Sequence, residues 1–240
     1  MRATLLLVFS LLYCTLLKAQ DPVFSQFYAA PMQLNPALTG LVAAPVIGIN
    51  YRNQWPSLPN AYASYALSFS QYIPKINSGL GALVTADVSG GGLYATYKLG
   101  VFYAYDIRFS KDFYIRAGFD AYFVNARLAW DRLIFFDQLD LQTGAVDQNG
   151  VNNPSNELFG KQSLSYFDMG AGFIFHCPYF YAGVSTKHLT VPKASLVGSY
   201  QDGTDEIPFR LSIHLGSEFI ISKRNKRGAK TFLSPNILFV

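Results

Sequence analysis

YKLGVFYAYDIRF, residues 97–109, sets Tyr97, Leu99, Val101, Tyr103, Tyr105, Ile107 and Phe109 on one parity and Lys98, Gly100, Ala104, Asp106 and Arg108 on the other. Successive side chains of a strand point to opposite faces, so this segment is greasy on one side and small or polar on the other. FYIRAGFDAYFV, residues 113–124, repeats the scheme: Phe113, Ile115, Ala117, Phe119, Ala121 and Phe123 stand against Arg116, Gly118, Asp120 and Tyr122. No helical period competes with this alternation.

The same rule predicts about nine strands, at 46–52, 61–70, 79–88, 97–109, 113–124, 164–176, 180–188, 209–221 and 231–240. Most come near the ~9–11 residues that a tilted membrane strand needs. Counted from a periplasmic N-terminus, the inner connections are short (QYIPKINS, SKD, CPY and SKRNKRGAK), whereas the two longest loops, 125–163 and 189–208, fall on the outer side. Short periplasmic turns and long outer loops are the pattern of bacterial barrels. An extra strand pair around RLAWDRLIFF would preserve that parity.

The ends and the composition fit export to a membrane. MRATLLLVFSLLYCTLLKAQ carries a basic residue, an apolar run and a small-residue junction, a secretory leader cut after Ala19. Lipidation at Cys14 is disfavoured by the bulky Tyr13 before it. Cleavage leaves Cys177 alone, which excludes an intramolecular disulfide. Loss of Arg2 and Lys18 lowers the net charge from +4 to +2, too little to suggest nucleic acid. Past the leader no run of ~18 apolar residues occurs, yet half of all residues are hydrophobic and only 14% are charged. An all-β, antiparallel transmembrane β-barrel in the outer membrane follows. An odd strand count conflicts with the even number in such barrels, so the chain is expected to be truncated before closure. The expected organisation is a signal peptide (1–19), a periplasmic or plug-like segment (20–45) and the barrel (46–240).

QDPVFSQFYAAPMQLNPALTG, residues 20–40, resembles the start of mature PorP/SprF-family proteins, outer-membrane barrels of the type IX secretion system in Bacteroidetes. Gln20, Asp21, Pro22, Phe24, Ser25, Gln26, Leu34, Asn35, Pro36, Ala37 and Gly40 carry the likeness. YRNQWP (51–56), YAGVSTKHLTVP (181–192), IPFRLSIHLGSEF (207–219) and LSPNILF (233–239) extend it along the mature chain. The family continues through several more strands, a departure that puts independent insertion in question. The resemblance implies a noncatalytic part: assisting secretion, retention or surface display of cargo such as gliding adhesins. It also implies periplasmic contacts with other type IX components and with the C-terminal signal domain of cargo. The runner-up function is an outer-membrane porin or lipid transporter. A hydrolase or acyltransferase would need a nucleophile and base together, and none is legible.

In residues 20–40, Pro22, Pro31 and Pro36 withdraw backbone donors and favour an extended path. Phe24, Phe27 and Leu34 are expected to pack into the periplasmic mouth, with Asp21 and Asn35 capping backbone groups there. A plain ordered lead-in is the alternative. Arg52, Lys98, Asp106, Arg108, Arg116 and Asp120 are assigned to the lumen, because Arg or Lys facing lipid at midplane costs ~2–4 kcal/mol. Lys223, Arg224, Lys226, Arg227 and Lys230 fall on a periplasmic turn, either simply solvated or docking an acidic partner or lipid headgroups. His176 and Cys177 face opposite ways, and His188 and His214 are isolated, so neither a metal nor a cofactor is expected. GAGF (170–173) and SGGG (89–92) lack phosphate-loop context, and their glycines are assigned to turns and close packing.

Overall fold

The computed structural model describes residues 29–58, 60–108, 110, 113–139, 144, 153–156, 161–177, 180–196, 206–222 and 231–239. The leader, Gln20, Asp21, Pro22, Phe24, Ser25, Gln26, Phe27 and the basic run at 223–230 lie outside the described residues.

Alternation of apolar and polar residues yields eleven strands among the described residues: β1 Val46–Gln54, β2 Tyr62–Ile73, β3 Ser78–Ser89, β4 Tyr94–Arg108, β5 Tyr114–Leu128, β6 Ser163–His176, β7 Phe180–Lys187, β8 Arg210–Ser217, β9 Phe219–Ser222, β10 Thr231–Leu233 and β11 Asn236–Phe239. Nine of them form one antiparallel sheet in the order β1 to β8 and then β11, while β9 and β10 make a separate ribbon. The sheet is not closed, since β1 and β11 end the order without pairing each other. No helix among the described residues is long and apolar enough to cross a membrane.

The outward parity is the greasy one. Val101 and Phe119 are 59% and 56% exposed, whereas Phe102 and Ala104, on the opposite parity, are 3% and 0%. Register carries the same face from strand to strand: Val101 sits opposite Ala121, and Tyr103 opposite Phe119. Phe123 then meets Phe167 of β6, ring centroids 5.3 Å apart. A continuous apolar face is what lipid requires of a barrel exterior.

Short connections close as turn chemistry dictates. Between β2 and β3, Pro74 opens a 3-10 turn that Asn77 ends in the left-handed region. Between β3 and β4, Gly90, Gly91 and Gly92 all take positive φ, which side chains with a Cβ rarely adopt.

Two sequence expectations are corrected, and one open possibility is decided. The eighth and ninth strands are broken rather than continuous: β8 stops at Ser217, and Ser234–Pro235 separates β10 from β11. Pro235 has no ladder donor, and its carbonyl instead accepts from Ser217 N at 3.2 Å. The RLAWDRLIFF region forms no strand pair. Residues up to Leu128 belong to β5, and Trp130–Arg132 and Phe136–Gln138 are 3-10 turns. Trp130 Nε1 donates to the Lys161 carbonyl (3.0 Å) and Ala129 N to that of Leu93 (2.9 Å), folding the chain back over the strand ends.

The sheet curls around the chain's own N-terminal part. Asn50 of β1 donates to the Ala29 carbonyl, and His214 of β8 meets Asn35, six residues later. Flat strands ~4.8 Å apart would hold β1 and β8 about 34 Å from each other. With four of the six residues in a helical turn at ~1.5 Å each, the connecting backbone reaches about 13 Å. Only a curved sheet brings both strands to the same short segment.

Candidate functional site

Residues 31–40 occupy the inner face, and their path follows from their prolines and one asparagine. Pro31 opens the helical turn α1 (Pro31–Leu34), where its missing N–H costs nothing. Asn35 is extended, as a residue before proline prefers, and Pro36 starts a 3-10 turn ending at Leu38. The Asn35 Oδ1 accepts from Ala37 N at 2.9 Å and so caps that second turn.

This cap fixes the orientation of the amide and leaves Nδ2 facing the sheet. Asn35 is fully buried. Its Nδ2 lies 3.2 Å from the Phe173 carbonyl of β6, 3.2 Å from the Val184 carbonyl of β7 and 3.0 Å from His214 Nε2 of β8. An amide nitrogen only donates, so His214 Nε2 accepts and a neutral ring carries its proton on Nδ1. Ser185 Oγ adds a bond to the Leu34 carbonyl at 2.7 Å.

On the other side the segment is held by β5. Arg116, 2% exposed, pairs with Asp106 at 2.9 Å and donates to the carbonyls of Thr39 and Gly40. Register places Asp106 directly opposite Arg116, so the pair is built into the β4–β5 ladder. Beneath the segment, Gly118 and Gly172 face each other across β5 and β6. A Cβ at Gly118 would overlap the backbone of Pro36 and Ala37, so only glycine allows this approach. Met32 completes the seat, packed with Ala66, Leu83, Phe102, Tyr122 and Val124. Phe102 and Tyr122 meet edge to face, centroids 5.5 Å apart.

The residues assigned to the lumen all take the inner parity but do not converge on one point. Asp106 and Arg116 form the pair just described. Arg108 lies exposed at the end of β4, near the short connections. Arg52 is half-buried and bonds Gln54, and Lys98 is half-buried on β4. Asp120, 4% exposed, sits deeper beside Gly170. Of the motif residues within the described part, Leu34, Asn35, Pro36 and Gly40 belong to the docked segment.

Other inner-face groups escaped the sequence reading. His188 Nδ1 lies 2.7 Å from Asp168 Oδ2, and Thr190 Oγ1 bonds the same carboxylate at 3.2 Å. His214 and Ser185, which grip the segment, also stand on inward positions. Strand parity alone would have turned Asp168, Ser185 and His214 inward, but distance along the chain hid what they meet. His176 instead stacks on Tyr114, centroids 4.6 Å apart, and Cys177 is a free thiol. The arrangement offers a polar cradle for peptide backbone, with carbonyls, amide and guanidinium satisfied by the segment itself.

No curated protein matches the chain. The family model for the type IX secretion system membrane protein PorP/SprF matches residues 16–240. The match takes in the docked segment together with every strand of the sheet, and the outward apolar face suits an outer-membrane barrel. The chain therefore belongs to the PorP/SprF family of type IX secretion system outer-membrane proteins.

Proposed function

We propose that the protein is an outer-membrane accessory of type IX secretion whose barrel interior is closed by its own N-terminal segment, and that it assists secretion, retention or display of cargo such as gliding adhesins. Its family is one of secretion-system membrane components rather than of enzymes. The observation carrying the reading is the seat of residues 31–40. Asn35 and Arg116 tie the segment to strands on both sides of the inner face. A passage for small solutes needs that space, so the seat favours an accessory over a porin or lipid transporter.

In this reading the short connections face the periplasm and meet other type IX components and the C-terminal signal domain of cargo. By the sequence-based strand count Lys223, Arg224, Lys226, Arg227 and Lys230, outside the described residues, fall on a connection of that side and would suit an acidic partner. The segment from Gln20 to Gly40 serves as anchor and plug.

The test pairs two measurements. Cells lacking the protein should retain cargo in the periplasm and recover surface display when the gene is restored. The purified full-length protein in planar bilayers should pass no steady ion current. Steady conductance with normal cargo display in the deletion strain would put a porin in place of the accessory.

A further inference from the structure

His214 of β8, 1% exposed, holds the docked segment through one ring nitrogen. Its Nε2 accepts from Asn35 Nδ2 at 3.0 Å, while its Nδ1 is buried without a hydrogen-bond partner among the described residues. The ring fits because Gly183, directly opposite on β7, has no side chain, and a Cβ there would overlap Nε2. Asn35 cannot turn its amide over to offer an oxygen instead. The exchange would set Nδ2 against Ala37 N and Oδ1 against the Phe173 and Val184 carbonyls, three conflicts in place of one.

A cationic imidazole only donates, so its Nε2–H would meet the Asn35 donor and its Nδ1–H would stay unserved. A buried charge left in that state is costly. Among the described residues no carboxylate pairs with His214 to offset it. The segment at 29–45 and β11 carry no titratable side chain. On β7, the Tyr181 ring lies 5.8 Å from that of His214 and sends its hydroxyl to Asn236. Lys187 faces Arg210 of β8, four residues or ~13 Å along the strand from His214. On β6, Ile174 completes the row through Gly183, and Asp168 stands six residues or ~20 Å further along, held by His188 and Thr190. The same row continues to Arg116 of β5 and Asp106 of β4, which are paired with each other. Asp120 sits beside Gly170.

We infer that Asn35 and His214 form an acid-released latch: a proton on His214 Nε2 and a seated segment exclude each other, so acidification frees residues 31–40 from the inner face. With the segment away, the ring meets water and takes a proton as an ordinary imidazole does, near pH ~6.5. Proton uptake by the open form alone then draws the equilibrium toward it as the pH falls. The other tie, from Arg116 to the Thr39 and Gly40 carbonyls, uses a guanidinium that keeps its charge throughout this range, which places the latch at the Asn35 end. The inference goes beyond the accessory reading and does not rest on it, since it concerns how the segment is held and not what the protein handles.

The test uses the full mature chain in lipid nanodiscs, carrying Thr39→Cys and Cys177→Ser, and a bulky maleimide. Dividing each labelling rate by that of the same protein with Asn35→Ala, at the same pH, cancels the pH dependence of the thiol itself. The ratio should rise about tenfold or more from pH 8 to pH 5, the scale of one buried hydrogen bond turned into a conflict. His214→Gln, which keeps an acceptor and takes no proton, should hold the ratio constant. Histidine ¹⁵N spectra give a second reading: the mature chain has three histidines, so the signal left after His176→Gln and His188→Gln belongs to His214. At pH 8 it should be a neutral ring protonated at Nδ1. A constant ratio down to pH 5 overturns the inference, whether or not His214 becomes cationic. So does a neutral ring protonated at Nε2, which cannot accept from Asn35. An equal acid response in His214→Gln also overturns it and moves the sensor to another group such as Asp106. Where glutamine fails to seat the segment, the parent protein decides: the cationic ring must appear in step with labelling, and labelling that rises while the ring stays neutral overturns the inference.

Discussion

Replacing Asn35 with alanine should release the N-terminal segment while leaving the sheet in place. The side chain makes the cap to Ala37 N and, with its two amide hydrogens, serves at most two at a time of the Phe173 carbonyl, the Val184 carbonyl and His214 Nε2. Three bonds at ~0.5–1.5 kcal/mol each, plus the penalty for leaving buried His214 and Ala37 N unserved, come to about 3–5 kcal/mol. At ~1.4 kcal/mol per tenfold, the undocked fraction rises about 10²- to 4 × 10³-fold. The assay is thiol labelling at Thr39→Cys in a Cys177→Ser background. Thr39 is fully buried and its hydroxyl has no partner among the described residues, so the exchange is mild. In micelles, a bulky maleimide should modify the parent slowly and the Asn35→Ala protein faster by that factor, with β circular dichroism unaltered. Asn35→Asp, equal in size but without donors, should open the segment at least as far, which separates bonding from volume. Equal labelling of Asn35→Ala and parent would refute the view that this side chain pins the segment.

Gly118→Val should expel Pro36 and Ala37, since even a Cβ overlaps their backbone. Forced overpacking of this kind costs ~1–3 kcal/mol, read by the same labelling. Val101→Arg, at the middle of the outward face of β4, should lower urea-refolding stability in vesicles by ~2–4 kcal/mol, whereas Val101→Leu should lie within ~1 kcal/mol. Arg116→Met should cost ~3–5 kcal/mol because Asp106 loses its charge partner. Adding Asp106→Leu should recover part of this in the same titration, and full recovery would show that the Thr39 and Gly40 carbonyls need no donor.

The fold was legible because one requirement dominates it. Lipid on one side forces a two-residue period, and that period survives in any sequence long enough to show it. Strand ends were less legible: Tyr94 to Thr96 and Asn125 to Leu128 join their strands because neighbours pair with them, a matter of register rather than composition. The breaks at Ser217 and at Ser234–Pro235 were foreshadowed by the proline, which the alternation rule passed over. Phe102 and Tyr122 sit on the polar parity, where large aromatic rings look misplaced until Met32 is seen resting on them.

The site was legible only in part. Local rules turn Asn35 outward from its own helical turn and cap the next one, but its other partners stand 138, 149 and 179 residues away. Periodicity says which face a residue takes, never which distant segment lies over it. Glycines carry a signal that could have helped: Gly118 and Gly172 are inward and directly opposed, leaving a shelf without side chains on the inner face. A barrel wall gains nothing from such a shelf, since each glycine costs backbone entropy and gives no packing. A backbone lying across it repays both, and Pro36 and Ala37 lie there. Because the lipid-facing parity holds the sheet in the membrane by itself, the inner parity is free to be shaped by what it must grip. Inward glycines that pair across strands are therefore a physical marker of a docked segment, readable wherever register can be inferred.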